Sequence, residues 1–155
     1  NAFEYHPPTH ALPEGAEFLG LLVVLKHFVE AQRRGDCVDP ASVQLLEPYL
    51  RSSQVSCYFD DLQRADLIQR SESGGWLLTR SLDSTDLLRV YTGTQYRLPL
   101  HPADEAQSLG ISLPAVLLEL LDALAQALDA ALGTRLARIY PPSADVADAP
   151  EESTP

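Results

Sequence analysis

The chain has 155 residues, 45% of them hydrophobic, and its 22 acidic against 11 basic residues give a formal net charge of −11 at pH 7. That length suffices for one domain with a true core, while the acidic balance disfavours unassisted binding to nucleic acid or to an anionic membrane surface. No run reaches the roughly 18 to 20 apolar residues of a bilayer span, and no signal peptide is present.

Residues 1–13 carry Pro7, Pro8 and Pro13 among aromatics and histidines, the composition of an extended arm. From Glu14 to Arg34, Phe18, Leu21, Leu22, Leu25, Phe28 and Val29 recur on one helical face; Gly35 stops the helix, and Arg33 and Arg34 complement its C-terminal dipole. Asp39-Pro40 starts a short second helix with Val43 and Leu46 toward the core, and Pro48 ends it. A third helix restarts at Ser52 or Ser53, either of which can cap. It turns Val55, Tyr58, Phe59, Leu62 and Ala65 inward and Gln54, Cys57, Asp61 and Arg64 outward.

Leu67 to Arg70 and Trp76 to Arg80 are short β-prone runs joined by Ser71 to Gly75, a hairpin whose glycines can take positive φ. Asp83 is positioned to cap a fourth helix with core residues Leu87, Leu88 and Tyr91, ended by Gly93. Residues 94–111 lack periodicity and read as a linker with room for a helical turn at Ala103 to Ser108. The longest helix runs from Leu113 to Leu132 and stops at Gly133, with a short helix over Thr134 to Tyr140 after it. Beyond it, 141–155 holds four acids, no base and little apolar content, the signature of a disordered acidic tail.

Catalytic patterns are missing. His6, His10, His27 and His101 form no H-x-H or H-E-x-x-H motif, and Pro7 and Pro8 oppose the helix that would bring His6 to His10. Cys37 and Cys57 lack C-x-x-C spacing and a neighbouring base, so they read as free thiols. Asp60 and Asp61 point about 100° apart on a helix and do not share a water readily. Asp60 and Arg64, at i and i+4, suit a surface ion pair. Trp76 either closes the core or offers a flat surface to a partner; Leu78, two residues on and on the same strand face, favours the core. No catalytic residue, metal or cofactor is expected.

The fold class is thus mainly α with a small β-hairpin: a winged helix-turn-helix-like domain over 14–93, a linker over 94–111 and a C-terminal helical segment over 112–140. Its would-be reading helix, Ser52 to Asp66, carries Asp60, Asp61 and Asp66 against Arg64 alone, where a DNA reader needs cations facing phosphates. If DNA were nevertheless the partner, Gln54, Arg64, Arg70 and Arg80 would make the contacts. The leucine seam Leu113, Leu117, Leu120 and Leu124 either packs on the first helix or forms an association face for a second copy or another protein.

Set in order, L-G-L-L-V-V-L-K-H-F-V at 19–29, E-P-Y-L-R at 47–51, L-I-Q-R-S-E-S-G-G-W-L-L-T-R at 67–80 and L-A-R-I-Y at 136–140, with E-Y-H-P-P at 4–8, make one profile. It resembles the cytoplasmic C-terminal extension of some members of the YihY/BrkB family of bacterial inner-membrane proteins, over most of residues 3–142. The resemblance implies a multi-helix membrane domain ahead of this segment, cytoplasmic placement, and a ribonuclease BN-like label meaning tRNA processing; other members carry a virulence label. The absence of methionine, even at position 1, agrees with an excised piece of a longer protein, with Asn1-Ala2 as a foreign remnant. The expectation is a non-catalytic cytoplasmic accessory domain making protein contacts or self-associating as a homodimer, its partner itself or the preceding membrane domain. A DNA-binding transcriptional regulator and a tRNA-processing ribonuclease are the alternatives.

Overall fold

A computed structural model describes Leu12 and residues 15–142. Most of the expected arm and nearly all of the expected acidic tail lie outside the described residues. Leu12, however, is buried in the core.

The first helix, α1 (Glu17–Arg34), is the hub of the molecule. The sequence pattern predicts one buried face, but Leu19, Val23 and Val24 are buried alongside Phe18, Leu21, Leu22 and Phe28, because the helix is packed on several sides. The two predicted core positions Leu25 and Val29 are only half-buried. Gly35 ends α1 with φ 76°, a left-handed conformation costly for any residue with a Cβ, and its N–H reaches the Ala31 and Gln32 carbonyls.

Helix α2 (Pro40–Leu46) begins as the sequence indicates, with the Asp39 carboxylate accepting the Ser42 N–H at 2.9 Å and proline in the first turn. Val43 is buried, but Leu46 is 64% exposed, a correction to its predicted core role. The helix is too short to bury two faces. Helix α3 (Ser52–Arg64) buries Val55, Tyr58, Phe59 and Leu62. Neither serine caps it; the Gln54 side chain instead accepts the Arg51 N–H at 3.0 Å.

Strands β1 (Ile68–Arg70) and β2 (Trp76–Leu78) pair antiparallel in the register Ile68 to Leu78 and Arg70 to Trp76. Val38, ahead of α2, adds an isolated bridge to Trp76 through N–H to O contacts of 2.8 and 2.7 Å, which the sequence pattern does not announce. Trp76 is half-buried, edge-on to Phe59 at 6.2 Å, with the Arg70 guanidinium 5.0 Å over its ring. One side of the indole closes the core and the other is roofed by arginine.

After a 3-10 turn at Leu82–Ser84, helix α4 (Leu87–Gly93) is capped by Asp86, whose side chain accepts the Arg89 N–H, and not by Asp83. Val90 is its buried residue; Leu88 is 67% exposed and Tyr91 is at the surface, which corrects the predicted face. The side turned to the core is centred on Val90, with the expected Leu87 half-buried beside it. Within the expected linker the helical turn at Ala103 to Ser108 is part of α5 (Pro102–Leu109), Ala106 and Ile111 are buried, and Tyr96 and Leu98 pack on the core. Helices α6 (Ala115–Leu132) and α7 (Leu136–Ile139) complete a mainly helical fold with one small antiparallel hairpin.

Candidate association surface

Helix α6 is held along one side only. Leu121 and Ala125 are its buried residues, packing with α5 and the core, with Leu117 and Leu118 half-buried beside them. Ahead of it the Lys26 ammonium donates to the Ser112 carbonyl at 2.9 Å, tying the start of α6 to α1. Between α1, the hairpin base, α4 and the first half of α6 runs an apolar groove of about 490 Å³, walled by Leu25, Val29, Leu78, Leu87, Leu117 and Leu120. This is why Leu25 and Val29 stay half-exposed: nothing among the described residues fills the space over them.

The predicted face Leu113, Leu117, Leu120 and Leu124 divides. Leu113 and Leu117 pack against the core and line the groove, whereas Leu120 and Leu124 are exposed at 44% and 38%. Helical geometry explains the split. With about 100° per residue, Val116, Leu120, Ala123, Leu124, Ala127 and Ala131 fall within an arc of about 100°. All of these are exposed, and no charged residue lies among them; Glu119, Asp122 and Asp129 point elsewhere. The steps of four and three from Leu113 continue to Ala127 and Ala131, whereas Val116 and Ala123 fall off that seam and join the exposed face only by their angle about the helix axis.

The candidate nucleic-acid contacts are spread over the molecule, and each is occupied by its own chain. Gln54 caps α3. Arg64 pairs with Asp61 at 2.8 Å, so the i, i+3 neighbour and not Asp60 is its partner. Arg70 stacks on Trp76 and donates to the Gly74 carbonyl, and Arg80 pairs with Asp66 at 3.1 Å. Two of the three arginines are thus matched by carboxylates.

One polar group sits at the edge of the core. His27 Nε2 lies 2.6 Å from Glu47 Oε2, and the Tyr49 hydroxyl donates to Glu47 Oε1 at 2.8 Å. Burial, the bond to Glu47 and that carboxylate's charge push the Tyr49 phenol far above its ordinary range. The cluster ties α1 to the α2–α3 turn and offers no vacant nucleophile or ligand set. Among the described residues, no group of three His, Cys, Asp or Glu could hold a metal ion.

Compared with known proteins, the chain is 36% identical over 148 residues to a UPF0761 membrane protein of Stenotrophomonas maltophilia strain K279a, covering 94% of this chain and 34% of that protein. It is 38% identical over 100 residues to a UPF0761 membrane protein of Xanthomonas axonopodis pv. citri, covering 64% of this chain and 24% of that one. These relatives are named bacterial membrane proteins. The chain spans about a third of the length of the first relative it matches. No family model and no solved structure matches it. Among the described residues no helix is long and apolar enough to cross a membrane.

Proposed function

We propose that this chain is a winged-helix-like accessory domain on the cytoplasmic side of a bacterial inner-membrane protein of the YihY/BrkB kind, and that it works by protein contact and not by catalysis. The observation that carries this reading is the bare apolar face of α6, where Val116, Leu120 and Leu124 meet solvent without an intervening charge. The names of the relatives, and the fraction of their length that this chain matches, support its attachment to a membrane protein. The helix order and the hairpin after α3, with Val38 bridged to Trp76, support the winged-helix comparison.

Sedimentation of the chain over a wide concentration range tests the contact role. Self-association that Leu120→Asp abolishes is the expected result; a monomer at every concentration, unaltered by that substitution, would overturn the self-association part. The DNA-binding reading draws on the hairpin and on Arg70 and Arg80, but both arginines are engaged within the chain. No retention of duplex DNA at low salt is expected, since binding through phosphates strengthens as salt falls. Incubation with tRNA precursors, with and without EDTA, tests the ribonuclease label, and no cleavage is expected.

A further inference from the structure

We propose that the groove between α1, the hairpin base, α4 and the first half of α6 binds a free long-chain carboxylate, its hydrocarbon tail along the groove and its head at Lys26. This goes beyond the association reading and does not depend on it.

The walls select the tail. A volume of about 490 Å³ falls within the roughly 300–1,000 Å³ of small-ligand pockets. Along α1 the groove runs from Leu22 to Arg33, about 16 Å at 1.5 Å per residue. Its interior is leucine, valine and proline; among the described residues that line it none is aromatic, and Thr85 is the one neutral polar side chain. A nucleotide, a sugar or an extended peptide would strand its polar groups against such walls, whereas an alkyl chain has none to strand. Leu25 and Val29, half-exposed on an otherwise packed helix, would be covered by that chain.

The rim selects the head. Lys26 is half-buried at the mouth, and its ammonium, which has three N–H donors, uses one on the Ser112 carbonyl. Among the described residues no carboxylate lies within ion-pairing distance of Lys26 or of Arg33, two turns on along the same rim. The two acids that border the groove are less well placed. Glu30 is exposed and stands about 40° farther round α1 from Val29 than Lys26 does. The Asp86 carboxylate accepts the Arg89 N–H as the cap of α4. The formal charge of −11 is spread over the whole chain, and exposed charges beyond about 8 Å are largely screened at physiological ionic strength, so the nearest groups govern an anionic head. A carboxylate there gains a charge-assisted hydrogen bond from Lys26.

Calorimetric titration of the delipidated whole chain with dodecanoate, below its micellar concentration, tests this. Saturable binding is expected, and each methylene added between octanoate and dodecanoate should tighten it about fourfold. Val29→Trp, which fills the groove from a half-exposed position, should abolish binding, while Leu45→Asp, which removes an exposed apolar side chain from α2, should not change it. Lys26→Gln keeps a donor for the Ser112 carbonyl but removes the charge, and should weaken dodecanoate about tenfold more than it weakens dodecan-1-ol. Binding that Val29→Trp leaves intact is adsorption elsewhere and overturns the proposal; equal loss for acid and alcohol in Lys26→Gln overturns the assigned head. Binding to phosphatidylglycerol vesicles without binding of monomeric dodecanoate overturns it in favour of a membrane surface. No binding at any chain length overturns it too and leaves the groove to a protein helix. None of these outcomes alters the sedimentation result on which the association reading depends.

Discussion

His27 and Glu47 face each other at 2.6 Å across the junction of α1 with the end of α2, and both side chains are about seven-eighths buried. Because Tyr49 shares the same carboxylate, one acid satisfies two polar groups withdrawn from water. Glu47→Ala should therefore cost about 1–3 kcal/mol by orphaning both partners. Urea unfolding should show a lower midpoint at unchanged slope, and a double-mutant cycle with His27→Ala should be non-additive. Additive single effects would show that the pair contributes nothing.

Gly20 is required where α1 passes α3. A Cβ there would lie 2.7 Å from Leu12 Cδ1 and closer still to the Tyr58 hydroxyl, which donates to the Glu17 carbonyl at 2.7 Å. Gly20→Ala should destabilise by about 1–3 kcal/mol despite the better helix propensity of alanine. Removing the hydroxyl with Tyr58→Phe should recover part of that loss. Thermal melts of both single variants and the double would reveal it.

Alkaline pH should unfold the chain earlier than its net charge alone suggests. Burial first, then bonds or charges from Glu47, Glu17 and Asp61, holds the Tyr49, Tyr58 and Tyr96 phenols far above their ordinary range. Unfolded phenols ionise near pH 10 while the folded ones stay protonated, so above about pH 10 the unfolded state binds fewer protons and stability falls as pH rises. Below that pH their contribution is fully present. Tyr49→Phe should flatten the decline in urea midpoints between about pH 9 and 11, with phenolate absorbance appearing together with unfolding; phenolate appearing in the intact fold would refute this.

Asp66 joins α3 to β1 with φ 61°, a conformation that costs a non-glycine residue about 1–2 kcal/mol. Its carbonyl accepts the Thr79 hydroxyl at 2.7 Å and an Arg80 N–H at 3.0 Å, and its carboxylate accepts a second Arg80 N–H. Asp66→Gly should be nearly neutral, since backbone relief offsets the lost surface ion pair. Arg80→Ala should speed hydrogen exchange of the hairpin amides with little effect on the global midpoint. Equal exchange in both variants and the parent would dismiss the clamp.

Residues that act on their own backbone were legible in the sequence: Gly35 and Pro40 set helix ends where the pattern places them, and Gly74 takes the expected positive φ in the hairpin turn, whereas Gly75 does not. The class of fold followed, because caps, stops and apolar periods are local properties of the chain. The orientation of each short helix did not. Leu46 and Leu88 are as apolar as Val43 and Val90, and only the position of neighbouring elements put the valines inside.

Similarly, Gln54, Arg64, Arg70 and Arg80 look like available surface groups until folding supplies a backbone amide, a carboxylate or an indole for each. The sequence alone established that the chain is mainly helical around one hairpin, that α1 stops at Gly35 and α6 at Gly133, and that α6 is apolar on more than one side. Which side meets the core was decided by packing, since Leu121 and Leu124 are chemically identical and differ only in whether α5 and the core stand opposite them.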